Sequence, residues 1–150
     1  MRRKVGALDA LCLNHLSEIS SIKNKINNKE ALILLWDVCQ IPDFSNSLSG
    51  VHFSLLEKTF ELLLANGKLD NDWIKSQLNR LNRFDGEIDT LLNRISNIRT
   101  WTFITNRQKW IDESEYWQNE AKTIEDKLSD ELHNRLTQRF VDKRLSLIHI

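Results

Sequence analysis

The chain has 150 residues with one proline and four glycines, which argues against an all-β fold because helix breakers and tight-turn residues are few. Lysine plus arginine and aspartate plus glutamate each number 21, so a net charge of zero excludes a strongly basic nucleic-acid module while leaving room for a local basic patch. Cys12 and Cys39 are too few for a disulfide framework and predict thiols in a reducing cytoplasm, and no apolar run approaches the roughly 18 residues of a membrane span.

Six segments with helical apolar spacing predict an all-α fold, a bundle of about six helices. The first predicted helix covers residues 8–26. Its apolar face is formed by Leu8, Leu11, Leu16, Ile19, Ile22 and Ile26.

The second helix is predicted to be capped by Asn27, because Glu30 follows three residues later in the capping-box arrangement. Pro42 ends it, since the residue before a proline favours extended geometry. A third helix is predicted over residues 51–65, and the Asn-Gly pair that ends at Gly67 terminates it.

Asp70 or Asp72 is predicted to cap the fourth helix and Asp85 the fifth. The fifth helix carries one main apolar stripe, composed of Ile88, Leu91, Leu92, Ile95, Ile98 and Thr102. Arg99 falls at the centre of this stripe, so it is expected to pair with a carboxylate on a neighbouring helix or to face a ligand. Its loss is therefore expected to cost more stability than the loss of Arg94.

Trp101 lies off the stripe, which makes this helix either central in the bundle or exposed at an interface.

The sixth helix is predicted to begin near Asp112, with Glu115 completing a capping box, and to run to Arg144. Its apolar residues recur every fourth position at Ile124, Leu128, Leu132, Leu136 and Phe140. Because each step of four drifts by about 40° on a helix, the helix either breaks near Ser129 or wraps its stripe across several partners.

The sequence contains none of the common catalytic arrangements. It has no H-E-x-x-H motif, no nucleophile elbow and no phosphate-binding loop. Cys12 and His15 share one helix face, but no second pair follows at zinc-finger spacing. Asp130 and Glu131 open a D-E-x-H string within a predicted helix, whereas ATPase chemistry requires such acids at the end of a strand.

Four strings carry a more specific signal: LWDVCQIPDF at 35–44, DGEIDTL at 85–91, IRTWT at 98–102 and EDKLSDELHNRLTQRFVDKR at 125–144. In this order and spacing they resemble the helical region that follows the two motor domains of Suv3-like superfamily 2 helicases, of bacterial and mitochondrial type. The resemblance covers about residues 31–144.

The resemblance implies an accessory domain that packs on the second RecA-like domain and helps form the channel for RNA or DNA. It assigns 1–28 to a helix at the junction with the motor domains and 29–144 to the accessory domain. The motor domains are absent from this sequence, so it carries no family catalytic residue, and ATP and magnesium belong to the parent helicase. Residues 145–150 depart from the family pattern. We expect a non-native or truncated tail there, and Met1 as an internal start of a fragment.

Basic residues lie among aromatic ones between residues 73 and 110, a composition that suits stacking on unpaired bases and contact with phosphates. The candidate nucleic-acid-binding residues are Arg80, Arg83, Arg94, Arg99, Trp101, Arg107 and Lys109. The alternative is a protein-interaction bundle without nucleic-acid binding, for which the candidate interface residues are Trp101, Phe140 and Val141.

Overall fold

A computed structural model describes residues 2–18, 24–44 and 50–148 of the chain, and these ranges contain α-helices and no β-strand. The all-α prediction is therefore confirmed. The helices are α1 (Arg2–Glu18), α2 (Lys29–Cys39), α3 (Gly50–Asn66), α4 (Asn71–Leu81), α5 (Ile88–Thr105) and α6 (Ser114–Ile148).

The first helix differs from the prediction at both ends. It begins at Arg2 and ends at Glu18, and Ile26 lies outside it in an irregular segment, although Ile26 still packs against the core. Of the predicted apolar face, Leu16 is fully buried and Leu11 is exposed, while Ile19 and Ile22 lie outside the described residues.

The second helix is capped one residue later than predicted. Asn28, not Asn27, has the extended backbone of an N-cap, and its side-chain oxygen accepts a hydrogen bond from the Ala31 amide at 2.8 Å. Both asparagines suit the role, but the helix begins at Lys29, so Asn28 and not Asn27 occupies the N-cap position. The helix ends at Cys39, shortly before Pro42, as expected.

The end of α3 and the start of α4 follow the sequence signals closely. Gly67 has a φ of 74°, and its amide donates to the Leu63 carbonyl at 2.8 Å, which is the left-handed helix end that glycine favours. Asp70 rather than Asp72 caps α4, and it accepts a hydrogen bond from the Asp72 amide at 3.4 Å.

The fifth helix starts three residues after the predicted cap. Glu87 is the N-cap residue and makes no capping bond with its side chain, while Gly86 adopts a φ of 108° in the preceding loop. Arg94 instead holds this loop, because its Nη1 donates to the backbone carbonyls of Arg83 and Asp85. Asp85 is therefore a loop residue that α5 binds, and its prediction as the cap is wrong.

The sixth helix is continuous over 35 residues, so it does not break near Ser129. It begins at Ser114, two residues after Asp112, and the Ser114 hydroxyl donates to the Thr105 carbonyl at 2.5 Å. The apolar residues spaced four apart on α6 do not pack against additional helices of the described chain either. Leu128 is fully buried, but Leu136 is exposed, and residues 136–148 are all exposed.

One hydrophobic cluster joins residues of all six helices. Helices α5 and α6 make the most extensive contact, α4 packs on both, and α1, α2 and α3 pack together beside them. The connection between α3 and α4 is tied to the loop before α6, because the Leu69 amide donates to the Trp110 carbonyl at 2.7 Å. Among the described residues, no helix is long and apolar enough to cross a membrane.

Candidate nucleic-acid interface

A cleft with a volume of about 890 Å³ lies between α3, α4 and α5. Helix α3 contributes its first turns, α4 its face around Trp73 and Arg80, and α5 the stretch from Asn93 to Trp101. The Thr100 hydroxyl donates to the Pro42 carbonyl at 3.2 Å, which fixes the residues just after α2 against α5.

Two tryptophans form the aromatic part of the cleft. The rings of Trp73 and Trp101 meet edge to face, with centroids 5.2 Å apart and planes inclined by 69°. Trp101 is 3% exposed, whereas Trp73 is half-buried. Trp73 is therefore the member of the pair that has surface left for a ligand, and Trp101 supports it from the core.

The remaining lining of the cleft mixes apolar residues, Val51, Leu55 and Leu81, with polar ones, and its charged residues are more basic than acidic. Lys58 and Arg80 are exposed at its rim, and Asp43 is the carboxylate that lines it. Its amide and other polar residues are His52, Ser54, Gln77, Asn93, Asn97 and Thr100. The site therefore combines an aromatic ring, amide donors and acceptors, and two exposed cations.

His52 lines the cleft but is buried. Burial lowers the pKa of His52 below its ordinary value of 6.5, because desolvation penalises the charged imidazolium. The Asp43 carboxylate and a hydrogen bond with the Ile41 backbone act in the opposite direction and limit the shift. Near neutral pH the imidazole is therefore neutral.

The predicted basic residues do not form one surface. Arg80 and Trp101 line the cleft, and Arg83 lies just beyond it in the loop between α4 and α5. Arg83 pairs with Asp85 at 3.5 Å, and Arg94 lies 3.8 Å from the other oxygen of the same carboxylate. Because the Arg94 side chain is 15% exposed and bound to the loop, its role here is structural.

Three other predicted residues lie elsewhere. Arg107 and Lys109 follow the C-terminus of α5, at the opposite end of that helix from Arg94, and the Arg107 guanidinium stacks over the Trp110 ring at 4.6 Å. Arg99 pairs with Glu125 of α6 at 3.6 Å, as one of its predicted alternatives required. Its side chain is 52% exposed, however, so its placement at the centre of a core stripe is wrong.

The candidate interface residues also separate. Trp101 is covered by this chain, so α5 is central in the bundle at this position, the first of its two alternatives, and Trp101 is not an exposed interface residue. Phe140 is 60% exposed and Val141 is also exposed, both on the part of α6 that extends beyond the body.

The D-E-x-H string and the Cys12–His15 pair, to which the sequence assigned no chemistry, lie on helices of the structure. Asp130 and Glu131 lie inside α6, and Glu131 accepts a hydrogen bond from Arg135 at 3.0 Å. The His15 ring stacks on Phe53 with centroids 4.0 Å apart, and Cys12 is buried. Within the described ranges, no group of three or more histidine, cysteine, aspartate or glutamate side chains could hold a metal ion.

Sequence reasoning missed several residues of the cleft, including Lys58, Asn93 and Asn97. Asn93 and Asn97 stand four residues apart and therefore share one face of α5, which is the only local signal among them. Lys58 joins them through the packing of α3, and nothing in its neighbourhood along the chain indicates this.

Comparisons of the chain with protein-family models, with curated proteins and with solved structures find no match.

Proposed function

We propose that the chain is a helical accessory domain of an ATP-dependent helicase and binds single-stranded RNA or DNA in the cleft between α3, α4 and α5. Its resemblance to the region after the motor domains of Suv3-like helicases motivates the helicase context. The second RecA-like domain is then its neighbour in the parent protein, which also supplies ATP and magnesium. The observation that carries nucleic-acid binding is the cleft itself, where Trp73 lies among exposed cations and amides.

The chemistry of the cleft suits an unpaired strand better than a duplex. A base can stack on an aromatic ring only when it is free of its own stack, and such stacking is worth about 1–3 kcal/mol per base. Lys58 and Arg80 at the rim supply positive charge for the phosphates. Amide side chains such as Asn93 and Asn97 can both donate and accept hydrogen bonds, which suits base edges and ribose hydroxyls.

The test is the binding of a fluorescein-labelled single strand, followed by anisotropy over a series of salt concentrations. Arg80→Gln should weaken binding and reduce the slope of log affinity against log salt by about 0.7, the value for one lost phosphate contact on a single strand. Trp73→Leu should weaken binding by about 1–3 kcal/mol and leave the slope unchanged, because it removes stacking without removing charge.

Lys75→Gln is the matched control, since Lys75 is an exposed cation of the same helix that does not line the cleft. Equal affinities for the unmodified chain, Arg80→Gln and Trp73→Leu would contradict binding in the cleft.

The alternative function is a protein-interaction bundle without nucleic-acid binding. It is favoured by Leu136, Phe140 and Val141, which are exposed apolar residues on α6. Such residues on one protruding helix provide the apolar surface that protein partners bury. No measurable affinity for single strands at low salt, combined with self-association that Phe140→Ser abolishes, would favour this function.

A further inference from the structure

A second groove lies between the start of α5 and the C-terminal half of α6 and has a volume of about 640 Å³. Its lining residues are Glu87, Ile88, Arg135, Gln138, Arg139, Asp142 and Lys143. None of the nucleic-acid-binding residues predicted from the sequence lies in it.

Three cations form one ridge along this groove. Arg135, Arg139 and Lys143 follow one another at intervals of four residues on the continuous helix α6, so they lie on successive turns with a drift of about 40° at each step. The base of the ridge is fixed, because Arg135 donates to the Gly86 carbonyl and its Nε lies 3.0 Å from Glu131. Arg139 and Lys143 are exposed.

The carboxylates of the groove lining offset part of the ridge's charge, and Glu131 pairs with Arg135, so Arg139 and Lys143 are the cations left for a ligand. Asp142 accepts a hydrogen bond from Gln138 on the same helix at 2.8 Å, and Glu87 is exposed at the start of α5. The lining therefore has three cations and two carboxylates. Arg144 adds a further positive charge beside the groove, stacked at 5.3 Å over the Phe140 ring.

The loop between α4 and α5 connects residues of the cleft with residues of the groove. Arg80 lines the cleft just before this loop, and Glu87 lines the groove where the loop ends. Along α5, Ile88 of the groove and Asn93 of the cleft are separated by about 8 Å of helix axis and by about 140° around it. A flexible strand that leaves the cleft near Arg80 must therefore pass around the loop and the first turns of α5 to reach the ridge.

We propose that the ridge contacts the phosphates of the same single strand as it leaves the cleft. Arg139 and Lys143 bind the phosphates, and Arg135 is a positioning residue that holds the ridge against the loop. This inference rests on the proposed function, since it extends the nucleic-acid path from the cleft onto α6. The contact depends on charge and not on base identity, because phosphates carry no sequence information.

The expected effect follows from counterion release. Each lost phosphate contact on a single strand lowers the salt slope by about 0.7, so the double variant Arg139→Gln/Lys143→Gln should lower it by about 1.4. At 0.1 M salt a slope change of 1.4 corresponds to an affinity about 25-fold lower. A strand too short to reach the ridge should show neither change.

The experiment measures anisotropy for strands of about 5 and about 12 nucleotides, lengths within the range of known single-strand sites. It uses the full chain. The matched control is Lys122→Gln/Lys127→Gln, which removes the same charge from exposed positions of α6 outside the groove. Circular dichroism checks that both double variants keep their helix content.

The ridge variant should bind the longer strand about 25-fold more weakly and the shorter strand normally, while the control binds both normally. If the ridge variant binds the longer strand normally while Trp73→Leu weakens both lengths, the ridge is wrong and the cleft stands. An equal loss in ridge variant and control would also overturn the ridge, because the effect would then come from net charge. Failure of the unmodified chain to bind either strand would overturn the proposed function itself.

Discussion

Replacing Arg94 should destabilise the fold more than replacing Arg99, the reverse of the order that the apolar stripe of α5 predicts. Arg94 bonds to the carbonyls of Arg83 and Asp85, and its side chain is 15% exposed. Arg99 makes one ion pair with Glu125 at 3.6 Å, and its side chain is 52% exposed.

The two costs differ in size because the lost partners differ. A hydrogen bond from a charged group contributes about 1.5–3 kcal/mol, and Arg94→Ala removes two of them. Arg83 and Asp85 are themselves exposed, so water compensates part of the loss and we expect a cost of about 2–3 kcal/mol. An exposed ion pair contributes about 0–1 kcal/mol, which sets the limit for Arg99→Ala.

Urea denaturation followed by circular dichroism measures this difference. With a denaturant dependence of about 2 kcal/mol per molar urea, Arg94→Ala should lower the midpoint by about 1–1.5 M, and Arg99→Ala by less than about 0.5 M. Arg94→Lys is the informative second variant, since it keeps the charge but cannot bond both carbonyls as a guanidinium does. Equal midpoints for Arg94→Ala and Arg99→Ala would refute the assignment of Arg94 as the residue that holds the loop.

Three further predictions concern other parts of the molecule. Gly67→Ala should cost about 1–2 kcal/mol because of its φ of 74°, whereas Gly50→Ala, with no atom within 4 Å of the added carbon, should not destabilise the chain; urea midpoints compare them. Folding lowers the pKa of His52, so the imidazole binds a proton more tightly in the unfolded chain, and the urea midpoint should fall as the pH drops through about 6.5. His52→Gln should flatten this dependence of the midpoint on pH. The same dependence in the unmodified chain and in His52→Gln would contradict the assignment. Phe140→Ser should reduce binding of a hydrophobic dye without loss of helix content, whereas Trp101→Ser should lower the urea midpoint; the opposite pattern would contradict their placement.

For the described residues, the sequence signals predict the type of each element and the approximate position of each helix, but they place the helix starts less well. The end of α3 at Gly67 is predicted correctly, because a left-handed glycine is a local requirement of that backbone. Asn27 and Asn28 offer the same chemistry at adjacent positions, and Asp85 suits a cap but is held in the loop by Arg94. The residues around Asp85 in the sequence do not indicate that Arg94, nine residues later, binds its carbonyl.

The error at Arg99 has a geometric cause. The buried face of α5 extends from Leu91 toward Trp101, so it is displaced from the predicted stripe. At about 100° per residue, Arg94 lies about 20° from the midpoint of Leu91 and Trp101, whereas Arg99 lies about 120° from it. The predicted stripe left Trp101 out, and its centre was therefore placed too close to Arg99. The cleft was similarly beyond sequence reasoning, since it depends on how three helices pack.

Binding of a single strand in the cleft can be followed through the indole N–H signals of the five tryptophans, in an NMR titration with an unlabelled oligonucleotide. Trp73 and Trp101 line the cleft, whereas Trp117 donates its indole N–H to Asn71 at 3.3 Å and Trp110 stacks with Arg107 away from it. We predict that the signals of Trp73 and Trp101 shift with added strand while those of Trp110 and Trp117 stay in place. Unchanged Trp73 and Trp101 signals under saturating strand would contradict binding in the cleft.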